Sequence, residues 1–510
     1  MIHRINQGSA RPRTQPTTFT PDQGQFTGDM AGRGMANLIL VTSVLTCIAW
    51  TAFAQQVEPP TLAPCSAFKT SGFFNDNRLQ VQFLLYTPNN PTCGQFINQS
   101  GGIESSMFNA SLDTKVIIHG FRVLGTKPSW TEKLVDALLG TGPENVVVID
   151  WVTGSTAKYN QAVDNVPKLS MVLVDLLKQF LDLGSTLESF HLIGVSLGAH
   201  VAGHIGTYFG GRIGWITGLD AAAYRFTRTH PEDRLDPGDA LFVDAVHTDT
   251  DNFGIRIPVG HVDYFINGGR DQPGCPPVTN PYQYLICDHM RSVAVYISAL
   301  RGNCPFIGFP CPTYKDFQNG LCVDCETQKL SSCPRLGRKE SLIIPGEFIV
   351  HDLASESENY TSTISYKTQE PPKEIQLFLL TTPAEPYCAH HILLEFTLHE
   401  IKDVSITIEI NLSSANSSAS KTKISIPKQT QGGRALVAHG TRLCLLHKVE
   451  IRVTIRGFWR KAPEFRGNLC MAELPMDRRR SKICLPQTIN FSGNSRQTFD
   501  VTEDQNFTCP

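Results

Sequence analysis

Residues 194–198 read Gly-Val-Ser-Leu-Gly, and their setting constrains the fold more than any other feature of the chain. Ahead of the serine, Phe190–Val195 is a short apolar run, the pattern of a strand buried on both faces. Behind it, Leu197–Tyr208 can form a helix rich in small residues: Gly198, Ala199, Ala202 and Gly203. A serine in so sharp a strand-to-helix turn holds strained backbone angles, and only small residues fit two places before and two after it. Gly and Ser are common, so the pentad alone is weak; the flanking strand and helix give it weight. A plain turn serine is the alternative reading.

The surrounding pattern agrees. Val116–Ile118 and Val146–Ile149 are further short apolar runs. Between the second of these and the run before Ser196 lie Val163, Val166, Leu169, Leu173, Leu176, Leu177 and Phe180, at helical spacing and ending at Gly184. Strand–helix–strand order predicts a mostly parallel sheet covered by helices, an α/β-hydrolase domain.

At 510 residues the chain is too long for one ordinary core. Four segments are expected: an extension with a signal peptide over residues 1–54, the α/β-hydrolase domain over 55–354, a polar linker over 355–373, and a β-sandwich over 374–510. The sandwich rests on Ile375–Leu380, Ile392–His399, Val404–Leu412 and Val449–Ile455, which alternate or run apolar without helical spacing. Five cysteines within Cys304–Cys333 predict a stapled surface excursion.

Cysteines and leader define the compartment. The apolar run Asn37–Phe53 follows Arg33 and ends in Ala52-Phe53-Ala54, a small-x-small cleavage site; Met30 or Met35 is then the expected start. Fifteen cysteines suit disulfides in a secreted chain, since Cys322-Val-Asp-Cys325 has no partner pair at zinc-ribbon spacing. Seven Asn-x-Ser/Thr acceptors agree. The net charge of −2 gives no reason to expect nucleic acid and leaves a membrane surface open.

A nucleophilic hydroxyl needs a general base, and the base needs an orienting acid, in chain order Ser, Asp, His. Asp220 ends the apolar segment Ile213–Leu219 and is the first candidate acid; Asp244 and Asp263 remain rivals. His230, His247, His261 and His289 all follow Asp220, and the residues alone do not choose among them.

Gly194–Gly203, with Ile118-His119-Gly120-Phe121 upstream and Cys287-Asp288-His289-Met290-Arg291-Ser292 downstream, resembles the pancreatic-lipase family. The likeness extends from Cys65 to the C-terminus. It implies that Ser196 is the nucleophile, His289 the base and Asp220 the acid. It places the backbone N–H groups of Phe121 and Leu197 in an oxyanion hole. It also implies that Cys275–Cys287 bounds the lid, that Cys65–Cys93, Cys311–Cys322, Cys325–Cys333 and Cys470–Cys484 pair, and that the C-terminal region is a lipoxygenase-homology (PLAT-like) sandwich. Cys304, Cys388, Cys444 and Cys509 stay unassigned. Arg234–Asp239 resembles the family's calcium loop, with Asp236 and Asp239 as ligands of a structural calcium; a solvated turn is the alternative. The chain departs from the family in one place: Asp220 is followed by Ala221-Ala222-Ala223-Tyr224, where the family has Pro-Ala-Gly-Pro. Loss of the turn-shaping proline and glycine leaves the placement of the acid open.

The eleven residues between Cys275 and Cys287 include three prolines and are expected not to form an amphipathic flap. The second covering loop, Thr248–Gly260, is short too. Both features are shared with the phospholipase A1 branch of the family. They imply hydrolysis of the sn-1 acyl ester of phosphatidylserine at a phospholipid surface, with no cofactor in the chemistry. A triglyceride lipase and an impaired lipid-binding relative are the alternatives. The basic run Arg478-Arg479-Arg480-Ser481-Lys482 could meet anionic head groups or heparan sulfate, or be a solvated face.

Overall fold

The structure, a computed structural model, describes residues 79–97, 102–122, 128–156, 158–276, 281–302, 304–323, 333–338, 374–415, 417–455, 464–475 and 482–502, with 507 and 509. The leader expected over 1–54, Cys65, the linker over 355–373 and residues 478–481 of the basic run lie outside the described residues.

A ten-stranded sheet holds the first half of the chain together. Its strands are β1 (Gln82–Tyr86), β2 (Gln95–Ile97), β3 (Thr114–Ile118), β4 (Asn145–Asp150), β5 (Phe190–Val195), β6 (Trp215–Leu219), β7 (Val243–His247), β8 (Val262–Ile266), β9 (Phe309–Pro310) and β10 (Ile375–Leu379), in the order β2-β1-β4-β3-β5-β6-β7-β8-β10-β9. Neighbours from β4 through β10 in this order pair in parallel, while β1, β2 and β9 are antiparallel additions at the edges. Every residue of β3 through β8 is buried, as in strands covered on both faces.

Helices supply both covers. On one face the helix Tyr159–Asp182 buries Val163, Val166, Leu169, Leu173, Leu176, Leu177 and Phe180 in a core shared with the helix Leu197–Tyr208. It stops where expected: Gly184 takes φ +106, which a side-chain-bearing residue resists. On the other face Thr131–Leu139 and the helix Pro281–Leu300 enclose a second core around Val293, Tyr296 and Ile297.

The C-terminal half is a sandwich. One sheet is β13 (Ser417–Ile426), β12 (Ile406–Ser414), β15 (Leu446–Ile455) and β19 (Arg496–Asp500), in that order. The other runs β14 (Gly432–His439), β11 (His390–Leu398), β16 (Glu464–Glu473) and β17 (Ile483–Cys484), with β18 (Ile489–Ser492) also on β16. Alternate residues, such as Ile406, Ile408, Ile410 and Leu412 of β12, fill the space between the two sheets.

Two expectations are corrected. The strand expected to open the sandwich, Ile375–Leu379, instead joins the large sheet, parallel to β8. Its apolar sequence suits an inner strand of either sheet; pairing with the otherwise unpaired side of β8 decides the matter. The cysteine-rich stretch is not a mere surface excursion. Phe309 and Phe317 are fully buried, packed with Phe265 and Phe378 of the large sheet and with Leu393, Leu436, Ala472 and Leu474 of the sandwich. The segment is thus a wedge joining the two halves.

Cys275–Cys287, Cys311–Cys322 and Cys470–Cys484 are paired as the resemblance implied, and the four unassigned cysteines pair as Cys304–Cys388 and Cys444–Cys509. Cys65–Cys93 and Cys325–Cys333 each include a residue outside the described set. Among the described residues, no helix is long and apolar enough to cross a membrane.

Candidate active site

Ser196 ends β5 and caps the helix Leu197–Tyr208 with φ 57 and ψ −117, the strained conformation the pentad predicts. The two glycines have separate reasons. A Cβ on Gly194 would lie 2.3 Å from the Gly198 carbonyl oxygen and 2.5 Å from Ala199, inside the first turn of the helix. A Cβ on Gly198 would lie 2.1 Å from the carbonyl oxygen of Ile118, so this glycine lets the helix approach β3. The Ser196 N–H donates to Leu219 O at 3.0 Å, which ties the elbow to β6.

Asp220 follows β6 directly and is fully buried, with φ 46. Its Oδ2 accepts from His289 Nδ1 at 2.7 Å. Its Oδ1 accepts from the backbone N–H groups of Thr248 and Asp249 at 2.8 and 3.1 Å. The changed turn leaves Asp220 within hydrogen-bond reach of His289. Neither Ala221 nor Ala223 has a positive φ, so the missing glycine's freedom is not needed; Arg225, at φ 71, takes that conformation instead. The Ala221–Ala223 backbone is sewn to the loop after β7: Ile255 N–H donates to Ala221 O at 2.7 Å, and Ala223 N–H to Phe253 O at 2.8 Å.

His289 lies in the helix Pro281–Leu300 and is buried, with Phe253 packed edge-on against its ring at 5.6 Å between centroids. Burial pulls its imidazole down, but the hydrogen bond and charge of Asp220, with Asp249 adding, hold it above the ordinary histidine value. With Nδ1 held by Asp220, Nε2 is the nitrogen left for a proton transfer.

The loop after β3 approaches the elbow closely. A Cβ on Gly120 would lie 2.6 Å from Ser196 Cβ and 3.2 Å from Leu197 N. His119 orients this loop. Its Nε2 accepts from Trp151 N–H at 3.1 Å, so its Nδ1 carries the proton donated to Gly120 O at 2.8 Å. Because a trans peptide points its N–H opposite its carbonyl, holding Gly120 O turns the Phe121 N–H away from His119. Phe121, Ser196 and His289 line one cavity of about 950 Å³, whose walls also include Tyr159, Tyr224, Phe253 and Ile286.

The lid disulfide forms, but the lid is not free of helix. Pro281 starts the helix that carries His289, so the second half of the eleven-residue loop is its first turns; proline is well tolerated at a helix start. Arg291 braces the lid base, donating to Pro273 O at 2.8 Å and lying 4.3 Å from the Tyr387 ring centroid.

Asp236 and Asp239 bond within and beside their own turn. Asp236 Oδ1 accepts from Gly238 N–H at 2.7 Å, Asp239 Oδ2 from Asp236 N–H at 2.9 Å, and Asp239 Oδ1 from Thr207 at 2.8 Å. The pair closes a capping box on a single 3₁₀ turn. Burial and the neighbouring Asp236 push the Asp239 carboxyl up to about 8, against those hydrogen bonds. Of the basic run only Lys482 is described, and it is paired with Glu395.

The rival residues have other duties. Asp244 accepts from Trp215 Nε1 and the Thr217 hydroxyl; His261 Nδ1 accepts from Val243 N–H; His247 and Asp263 bond to one another. Three residues near the dyad escaped sequence reasoning. Asp249 is buried beside Asp220 and His289, and burial pushes its carboxyl up to about 7, against an Asn252 hydrogen bond and with the Asp220 charge adding. Phe253 faces His289, and Gly254 leaves room for the Asp220 carboxylate. All lie on the loop expected only to cover the site, and no local pattern marks them.

The lipase family profile matches residues 45–344. A Phospholipase A1 member A from Pongo abelii is 47% identical over 455 residues, 88% of this chain and 94% of its own. Another from Homo sapiens is 46% identical over 459 residues, 89% of this chain and 96% of its own. A Lipase member H from Danio rerio is 48% identical over 261 residues, 51% of this chain and 58% of its own. Among solved structures, an alpha/beta hydrolase enzyme from a Medee basin deep-sea metagenome library is similar at 14% identity and TM-score 0.23, covering 42% of this chain and 74% of its own.

Proposed function

Because this chain belongs to the pancreatic-lipase family, we propose that it is a secreted phospholipase A1 that releases the sn-1 acyl chain of phosphatidylserine and lysophosphatidylserine through an acyl-enzyme. The observation that carries the reading is the Asp220–His289 bond of 2.7 Å opening on the same cavity as Ser196, in a chain 47% identical to a Phospholipase A1 member A.

In the proposed cycle His289 Nε2 takes the Ser196 proton as Oγ attacks the ester carbonyl. Asp220 keeps the imidazole in one orientation and stabilises its positive form. The N–H groups of Leu197 and Phe121 receive the developing oxyanion, each worth roughly 10²–10³ in kcat. Nε2 then protonates the departing glycerol oxygen. Water, activated by the same nitrogen, attacks the acyl-serine and returns Ser196. No cofactor enters the cycle. The short lid between Cys275 and Cys287 supports a polar-headed substrate over a triglyceride. Secretion is supported by the five disulfides among the described residues.

The test is acyl release from sn-1-labelled phosphatidylserine against triolein at matched surface concentration, with Ser196→Ala as control. Phosphatidylserine should be strongly favoured, and the variant should retain almost no turnover. A ratio favouring triolein overturns the phospholipase reading; full activity in Ser196→Ala overturns the nucleophile.

A further inference from the structure

Two residues that lose the contest for the triad form a second buried histidine–aspartate pair, one strand over. In the parallel register of β7 and β8, Ala245 stands opposite Asp263 and His247 opposite Phe265, so all four share one face. The His247 ring stacks on Phe265 at 4.3 Å between centroids. Its Nε2 lies 2.7 Å from Asp263 Oδ1, and the two side chains are 1% and 0% exposed. This pair does not reach Ser196; it reaches the loop 248–261.

Each hydrogen-bonding atom of the pair is used. His247 Nδ1 donates to Ile255 O at 3.1 Å. Asp263 Oδ1 also accepts from Val259 N–H at 2.9 Å, and its Oδ2 from Gly260 N–H at 3.2 Å. Both ring nitrogens face oxygens, and the Asp263 carboxyl faces three hydrogen-bond partners. The loop is therefore pinned at Ile255, Val259 and Gly260 by a buried pair that leaves no polar atom idle.

The pinned loop carries the support of Asp220. Its first two N–H groups, Thr248 and Asp249, bind Asp220 Oδ1. Ile255, whose carbonyl His247 holds, donates its own N–H to Ala221 O. Phe253, between these points, faces His289. We propose that His247 and Asp263 are positioning residues for the hydrolytic reaction: their buried pair fixes the loop after β7, and the loop fixes the orientation and charge of Asp220. The proposal rests on the reading of Ser196, His289 and Asp220 as the triad.

A direction follows for pH. With the loop loosened and Asp220 displaced from His289, the carboxylate's hold on the imidazolium weakens. The acid limb of kcat/KM should then move to lower pH. The groups facing His289 are Asp220 and Asp249, and those near Asp263 are Asp244 and His261; none of these changes in the variants below.

The experiment uses the full secreted chain on a water-soluble short-chain ester, with rates normalised to active sites titrated by a fluorophosphonate. Asp263→Asn and His247→Gln are each expected to lower kcat roughly 10²-fold, as misplacement of about an ångström does, with KM unchanged and the acid limb shifted down. Removing one partner of a buried pair can also prevent folding, so His247→Phe with Asp263→Leu removes both partners at once. It should show the same loss of kcat and the same shift. Hydrogen exchange on the unaltered protein covers the case in which no variant is secreted: the Thr248, Asp249, Val259 and Gly260 amides should exchange as slowly as β7 and β8. The proposal falls if these amides exchange at exposed-loop rates. It also falls if folded variants keep wild-type kcat and pH profile, or if they lose only titratable sites while the remainder behaves as wild type. Failure of the triad itself would show separately, as fluorophosphonate labelling or turnover surviving in Ser196→Ala.

Discussion

Gly254→Ala is the sharpest test of how Asp220 is held. A Cβ at position 254 would lie 2.5, 2.6 and 2.7 Å from the Oδ1, Oδ2 and Cγ atoms of Asp220. Ordinary contact starts near 3.4 Å, so the carboxylate and the loop must separate by about 0.9 Å. Gly254 has no positive φ, so alanine is not opposed by backbone strain, and the cost falls on the contact itself. If Asp220 takes the shift, its 2.7 Å bond to His289 stretches to about 3.6 Å, beyond hydrogen-bond length. A displacement of that size near the chemistry costs roughly 10² in rate, or about 2.7 kcal/mol in activation free energy. The yield of folded protein should be near normal, because the sheet and both cores are untouched. The assay is kcat and KM on a soluble ester per titrated site, with the melting temperature of each form. A well-folded Gly254→Ala protein with wild-type kcat would refute the reasoning, since it would show that Asp220 need not stand where it does.

Other outcomes follow from single contacts. Gly198→Ala should abolish the yield of folded protein, because its Cβ would fall 2.1 Å from a backbone oxygen of β3, whereas Gly142→Ala, with nothing within 4 Å, should be silent in both yield and melting temperature. His289 is held above the ordinary value of 6.5 and must be neutral to act as base, so kcat/KM should rise with pH through a midpoint above 6.5; a midpoint below it would deny the coupling to Asp220. The same raised value means His289 stabilises the fold fully below about 6.5, and that contribution is lost as pH climbs through the folded midpoint. Calcium and EDTA should leave melting temperature and turnover unchanged, because three of the four carboxylate oxygens of Asp236 and Asp239 already accept a hydrogen bond; a calcium-dependent rise in melting temperature would assign the cation site.

What the chain's sequence determined alone is what neighbours along the chain enforce. The elbow is such a case: Gly194, Ser196 and Gly198 lie within five residues, and the strand and helix around them follow from apolar spacing. The covered parallel sheet was legible for the same reason, since strands buried on both faces read as unbroken apolar runs. The base and acid were not, because a histidine 93 positions from its serine has no local signature; only resemblance singled out His289. Pairing across the sheet was equally hidden, and it sent Ile375–Leu379 to β8 and made the cysteine-rich stretch a wedge. The alanines after Asp220 left the placement of the acid open when read locally. In the folded molecule the loop after β7 holds that turn through its backbone, and Gly254, Thr248 and Asp249 decide where the carboxylate sits. Local torsional preference is written residue by residue. The position of a buried charge is set by donors that approach it from distant segments, and those meet only once the sheet has closed.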